Sequence, residues 1–275
     1  MSILKNKVIW FTLYGIFITV MFLYLLFPSD IVKSKLEEAV NSSDFILKTE
    51  SLKPSLPLGV QLKNITINSA STGNMSFQGD VLDLQLNPAS FFQKNKYIKL
   101  SGKAYKGSFA GQIGLASFSK MDELKEGNLE FQNIDLGEGV SFIKPLLGAE
   151  VTGKAKGSLA YTSAGEGGKN SSGAVALFLT KGSFPLTEPF LGINHIDFER
   201  GEMQGKLQNG TLSMEKLEIV GPQINCFLKG EIILADAFKS SRLNLKGTME
   251  ILGKNKAKMN VTISGTPDRP VIRYL

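Results

Sequence analysis

The 275-residue chain holds one histidine, His195, and one cysteine, Cys226. A Ser-His-Asp or Cys-His nucleophile system would have to be built on that single imidazole, and no G-x-S-x-G turn accompanies it. One His and one Cys far apart in sequence are too few soft ligands for a zinc site of ordinary composition. Gly148-x-x-x-x-Gly153-Lys154 falls one residue short of a phosphate loop, because Ala155 stands where Ser or Thr would hold magnesium. The carboxylates Asp135, Glu138 and Glu150 have no spacing that brings two together, and they read as solvated turn residues. Cys226 lies in the apolar phase of Ile224, Cys226 and Leu228, so it reads as buried packing. Without a second cysteine no intramolecular disulfide forms. No catalytic residue, metal ligand or cofactor-binding motif emerges, and the chain is expected to act by binding, not as an enzyme.

Charge agrees with that expectation. The net charge of +6 is spread along the chain, with lysines mostly at alternate positions of apolar runs. A nucleic-acid binder would gather Lys and Arg with aromatic residues on one element. No nucleic-acid partner is therefore expected, whereas a weak attraction to anionic lipid headgroups is compatible with the composition.

The elements that would position a binding surface begin with an uncharged stretch over residues 8–27, VIWFTLYGIFITVMFLYLLF. As a helix it would be about 30 Å long, the thickness of a bilayer's hydrocarbon core. Val8, Trp10, Phe11, Tyr14, Phe17, Phe22, Tyr24, Leu26 and Phe27 are the residues expected to face lipid, with Trp10, Tyr14 and Tyr24 suited to the interfaces. A cleavable secretory signal is the competing reading. Signal sequences have shorter apolar runs and end in small residues, whereas this one ends in Leu25, Leu26, Phe27 and Pro28. Lys5 and Lys7 favour a cytoplasmic N-terminus; Lys33 and Lys35 on the other side weaken the bias. The division expected is a cytoplasmic segment 1–7, an anchor 8–27, an amphipathic juxtamembrane helix 28–43 and an extracytoplasmic β-rich domain 44–275. In the short helix Ser29 or Asp30 is expected to cap, with Ile31, Val32, Leu36, Ala39 and Val40 on one side.

From Phe45 onward the apolar period changes from 3.6 to 2. Leu82, Leu84 and Leu86 alternate with Asp83, Gln85 and Asn87; Ile224, Cys226, Leu228, Ile232 and Leu234 form a second run; Leu243, Leu245, Met249 and Ile251 a third; Met259, Val261 and Ile263 a fourth. One wet and one apolar face is the mark of antiparallel sheet. Asn209-Gly210 between Leu207 and Leu212 signals a two-residue hairpin, and Ser163 to Gly173 reads as a flexible loop. The pattern apolar-x-apolar-x-x-apolar-x-apolar occurs at Val60–Ile67, Leu129–Leu136, Leu191–Phe198 and Leu212–Ile219. Its extra residue inverts the strand phase, as a bulge would, and places Asn64, Asn133 and His195 in equivalent bulge positions. SGKAYKGSFAG from Ser101 and TGKAKGSLAYT from Thr152 echo one another. The fold class expected is mainly β: an elongated, curved, mostly antiparallel sheet built by adding similar hairpins.

Too few helices are predicted to cover such a sheet. Its apolar face must close on itself, meet a partner, or hold something greasy. The candidate groove is lined by Leu82, Leu84, Leu86, Ile224, Leu228, Leu243 and Leu245, and the same residues would form an ordinary core if the sheet closed.

Three stretches carry a resemblance. They are the anchor ending Tyr24-Leu25-Leu26-Phe27-Pro28 with its short helix, the segment LKPSLPLGVQLKNITI from Leu52, and the tail VTISGTPDRPVIRYL from Val261. Together they resemble the N component of bacterial type II secretion systems (GspN) in its Leptospira and deltaproteobacterial form, a family similar to the AsmA-like envelope proteins. The resemblance implies a single-pass inner-membrane protein with a periplasmic β domain. It further implies an accessory role among other type II secretion proteins or, through the AsmA-like kinship, the binding or transfer of phospholipid between membranes.

Overall fold

In the computed structural model, residues 7–41, 45–69, 75–93, 95–117, 120–164, 170–190, 193–235, 238–252, 256–267 and 269–274 are described. Two helices, α1 (Lys7–Leu25) and α2 (Ser29–Val40), precede one 14-stranded sheet. Its strands are β1 (Phe45–Ser55), β2 (Gly59–Ser69), β3 (Met75–Leu86), β4 (Lys96–Ala104), β5 (Gly107–Ser117), β6 (Lys120–Asp135) and β7 (Lys154–Ala164), then β8 (Asn170–Phe190), β9 (Ile193–Gln208), β10 (Thr211–Val220), β11 (Ile224–Ile233), β12 (Arg242–Ile251), β13 (Ala257–Gly265) and β14 (Pro270–Tyr274). A third helix, α3 (Val140–Leu147), lies between β6 and β7, and a 3₁₀ turn spans Pro88–Phe92 between β3 and β4. Every strand pairs antiparallel with its sequence neighbours in the order β1 to β14, so the sheet is open, with β1 and β14 at its edges.

The alternation in the sequence becomes one apolar face because the registers match like with like. Leu62 faces Leu82, Leu84 faces Leu100, Ile98 faces Ile113, Phe109 faces Phe131, and Leu129 faces Leu159. The same side continues through Leu177 opposite Met203, Leu212 opposite Ile232, and Leu245 opposite Ile263. Phase inversions keep long strands on that face. Asn64 (φ 49°) and Asn133 (φ 55°) adopt the left-handed region, where Asn is tolerated. Leu62 and Ile65 therefore share one cluster, and the ladder shifts between Phe131 and Ile134. A third shift falls between Met214 and Leu217. His195 is not a bulge residue of this kind: it takes ordinary strand geometry opposite Pro185, and the register shift there falls between Pro185 and Phe190 on β8. The spare residues sit on the partner strand, so β9 has no need to invert at His195.

Several expectations need correction. The flexible loop foreseen from Ser163 to Gly173 is strand at both ends, since β7 runs to Ala164 and β8 starts at Asn170; residues 165–169 lie outside the described set. Cross-strand pairing overrides the weak strand propensity of Gly and Ser there. The two echoed segments adopt different structures. Ser101–Gly111 folds as the β4–β5 hairpin, with Tyr105 and Lys106 both at positive φ, whereas Lys154–Tyr161 of the second copy lies within the single strand β7. Gly148 and Gly153 are not part of a phosphate loop: Gly148 (φ 73°) ends α3, and Gly153 (φ 117°) leads into β7. Helix α3 itself has no counterpart in the expectations, because Pro145 inside it and its eight residues conceal a helical period.

Helix α1 spans 19 residues, about 28 Å at 1.5 Å per residue. Nearly all its large side chains are exposed, from 41% for Met21 to 75% for Phe11, with Trp10, Tyr14, Phe17, Phe22 and Tyr24 between. A helix apolar all round has no face suited to water. Thr19 satisfies its hydroxyl by donating to the Gly15 carbonyl at 2.8 Å, one turn back. Of Val8 only the helical backbone is described. Leu26 stands in the turn after the helix, and Phe27 departs from its anchor role by packing against Leu52, Leu62 and Ile65 of the sheet. A bend of 68° separates Trp10–Leu25 from Ser29–Val40. No single described helix is long and apolar enough to cross a membrane, but this bent pair together has the length and composition to do so.

Candidate functional site

The apolar face falls into three zones that differ in what covers it. The first is the β1–β3 end, where α2 packs Val32 and Leu36 against Leu52, Leu62 and Ile65, with Phe27, Leu82 and Leu84 around them. Ile31 departs from the expected apolar side and is 66% exposed. The cap also differs: Pro28 precedes the helix, no side chain caps it, and Ser29 N–H donates to the Phe27 carbonyl at 2.8 Å. The polar side chains of α2 instead serve the outer edge of β1. Asn41 Oδ1 accepts from Leu47 N–H at 2.7 Å, Glu37 Oε1 accepts from Thr49 N–H at 3.1 Å, and Lys33 Nζ donates to the Glu50 carbonyl at 3.1 Å. They stand where a neighbouring strand would otherwise pair, which blunts an exposed sheet edge. Beside this zone α3 lays Phe142 edge-on to Phe77 at 5.8 Å, and Tyr105 meets the same ring at 5.6 Å. Tyr105 Oη also accepts from Gln78 N–H at 2.8 Å.

The far zone, β10–β13, packs on itself. Met214, Ile232 and Leu245 form one buried cluster, and Ile224, Met249 and Val261 another, with partners drawn from strands of the same sheet. A flat single layer leaves such side chains half in water. Burial to 3% for Met214 and 1% for Ile224 by same-sheet neighbours therefore requires this face to be concave. Cys226 lies in the second cluster, and burial pushes its thiol up to about 11.

Between these zones, β4–β9 present Leu100, Phe109, Ile113, Leu129, Phe131 and Leu177 at intermediate burial, and Leu159 is 43% exposed. The seven groove candidates do not coincide with this open window. Leu82 and Leu84 lie in the α2-covered zone, Leu86 is half-buried at its margin, and Ile224, Leu228 and Leu245 are buried in the far zone with Leu243 packed beside them. At about 4.8 Å per strand the two groups are roughly 40 Å apart along the sheet, so they are ends of a stripe and not one site. Alternation in the sequence does not tell the zones apart. Glycine does not mark the open strands, since Gly111 in Phe109-x-Gly111-x-Ile113 has counterparts in Leu228-x-Gly230-x-Ile232 and Leu245-x-Gly247-x-Met249 of the buried zone.

The opposite face is polar. On β9 and β10 Glu202 lies directly opposite Glu218, a repulsive arrangement in itself. Lys216 relieves it by bridging both, at 2.5 Å to Glu202 and 2.9 Å to Glu218, and Arg200 adds a contact to Glu218 at 2.6 Å. Lys216 foremost holds the Glu218 carboxyl below its ordinary range; partial burial opposes this and Arg200 adds to it. Two shallow clefts open on this side, about 510 Å³ beside Asp83, Lys103 and Glu130 and about 540 Å³ beside Glu218, Lys229 and Lys246. Both have mixed charge, and neither sets a nucleophile beside a base. His195 is solvent-exposed, 3.3 Å from Asp197. Asp135 accepts from Gly137 N–H, Glu138 pairs with Lys106 and Glu150 with Lys144, so the three carboxylates stay separate. Among the described residues, no group of three His, Cys, Asp and Glu side chains is placed to hold a metal ion.

Fold and surface together define a class: a single-layer antiparallel β-meander joined to an apolar N-terminal helix, with a partly uncovered apolar face. No protein family, no curated protein and no solved structure matches this chain.

Proposed function

We propose that this chain is a membrane-attached, non-catalytic lipid-binding module, in which α1 resides in the bacterial inner membrane and the sheet carries phospholipid acyl chains in the periplasm. The observation that supports this reading is the open stretch over β5–β8, where partly exposed Phe109, Leu129, Phe131 and Leu177 continue the line of Leu159 across four strands. A contiguous apolar strip left in water is unfavourable, and its aliphatic and aromatic side chains suit acyl chains. Its flanks are closed by α2 and by the self-packed β10–β13 zone, so a chain bound there would be held between two walls. The AsmA-like kinship expected from the sequence agrees with this use of the face.

The test is photocrosslinking in the full-length protein expressed in its membrane. A benzophenone amino acid at Leu129 or Leu159, on the apolar side, is expected to give phospholipid adducts; at Glu130 or Ser158, on the polar side, it is expected to give none. Equal adducts on both faces, or none on either, would remove the lipid reading.

A second reading, an accessory part of a type II secretion apparatus, is favoured by the other end of the sheet. All five residues of β14 are exposed, and no described strand covers its outer edge, which leaves room for strand addition by a partner protein. Crosslinks from Val271 to a secretion component, with no lipid adduct at Leu159, would favour this reading over the first.

A further inference from the structure

The most exposed large apolar side chains beyond α2 are Phe92, at 96%, and Leu56, at 61%, and with Leu58 they occupy one end of the sheet. Strand direction defines that end. β1 and β3 both run toward it, so the β1–β2 turn and the β3–β4 connection emerge together, tied by a hydrogen bond from Leu86 N–H to the Leu58 carbonyl at 2.9 Å. The Phe92 turn is firmly built. Asn87 Oδ1 accepts from Ala89 N–H at 3.1 Å, and Lys96 Nζ donates to the carbonyls of Ser90 and Gln93 at 3.2 and 2.8 Å. Among the described residues, none shields this aromatic ring from water.

Helix α1 arrives at the same end. α2 runs antiparallel to β1, with Lys33 beside Glu50, Glu37 beside Thr49 and Asn41 beside Leu47. Its Ser29 end therefore points toward the Ser51–Ser55 half of β1 and the Leu56–Leu58 turn, and Phe27 packs against the cluster of Leu52, Leu62 and Ile65. Segments 51–60 and 84–100 contain four lysines but no Asp or Glu, while Asp30 in the first turn of α2 and Glu126, which accepts from Asn95 at 3.4 Å, bring negative charge beside them.

We propose that Leu56, Leu58 and Phe92 form a second membrane contact, entering the interfacial layer of the same bilayer that α1 occupies while exposed Lys53 and Lys99 face its phosphates. This rests on reading α1 as the membrane span. Two contacts beside one another fix the sheet against the bilayer instead of letting it swing on the Leu26–Pro28 turn, and they set the β1–β3 end of the apolar stripe next to the lipid surface.

Full-length protein in vesicles of phosphatidylcholine and phosphatidylglycerol tests this. Single cysteines replace Leu58, Phe92 and, at the opposite end of the sheet, Leu147, in a Cys226→Ala background, and each carries the fluorophore NBD. Flotation with the vesicles and resistance to alkaline extraction report on α1. Expected is flotation of all three, with lipid-borne nitroxide quenching positions 58 and 92 at least threefold more than 147. Flotation with equal quenching at all three positions would overturn the second contact and leave the span intact. Loss of flotation would overturn both. A Leu56→Asp, Leu58→Asp variant labelled at 92 is expected to float and to lose at least half of its lipid quenching; undiminished quenching would also overturn the proposal.

Discussion

Phe109 lies across Gly102 on the apolar face, its ring tip 2.6 Å from where a β-carbon on that glycine would stand. The same arrangement recurs where Phe131 lies across Gly157, at 2.8 Å, and Phe198 across Gly182, at 2.5 Å. In each case a backbone carbonyl, of Val81, Ala176 or Thr152, also closes to within 2.3 Å of that β-carbon position. Large rings therefore fill the space that glycine leaves, and the strands approach more closely than residues with side chains allow. Gly102→Ala and Gly157→Ala are each expected to destabilise by about 1–3 kcal/mol through overpacking. Urea unfolding checks this, and Gly210→Ala is no control for it, because Gly210 takes φ 78° in the Asn209-Gly210 turn.

The α2 side chains that meet β1 hold its edge. Asn41→Ala leaves the Leu47 N–H without its acceptor and is expected to cost about 1–3 kcal/mol. Asn41→Ala with Glu37→Ala uncovers two strand donors and is expected to raise self-association, read by analytical ultracentrifugation in detergent. An unchanged sedimentation profile would show that α2 shields the edge by bulk alone.

Cys226 is expected to be inert in the folded protein. With its thiol pushed up to about 11 by burial, the thiolate fraction at pH 8 is about one in a thousand, against roughly one in four for an ordinary cysteine. Labelling by a maleimide at pH 8 should be at least a hundredfold slower than in urea-unfolded protein.

Acid should act partly through Glu218. Its folded carboxyl is held below 4.5 by Lys216 and Arg200, so it binds a proton less readily folded than unfolded. The stability it contributes is fully present above the unfolded value and is lost as pH falls from 4.5 through the lower folded value. Thermal melts of Glu218→Gln are expected to be lower than those of the parent at pH 7 and to change less between pH 5 and pH 3. Parallel curves would remove this role.

Two hairpins show how far the sequence could be read. Asn209-Gly210 announces its turn, because both positions need positive φ and these residues adopt it at little cost. Tyr105-Lys106 forms the same two-residue connection at φ 50° and 60° with residues that avoid it. Its support comes from Phe77, Gln78 and Glu138, up to about thirty residues away, which no local pattern encodes.

The sequence by itself determined the apolar helix, the change to period-2 alternation, the Asn209-Gly210 hairpin and the apolar phase of Cys226, because each depends on residue type and near neighbours. Only the tertiary structure decided which parts of the apolar face are sealed and which stand open. Leu82, Leu228 and Leu159 carry the same side chain on the same kind of strand. Their exposure differs because the first packs beside the Leu52, Leu62 and Ile65 cluster that α2 also meets, neighbouring strands crowd the second, and among the described residues neither a helix nor strand crowding encloses the third. Burial is a property of what arrives from elsewhere in the chain, and alternation along one strand cannot report it.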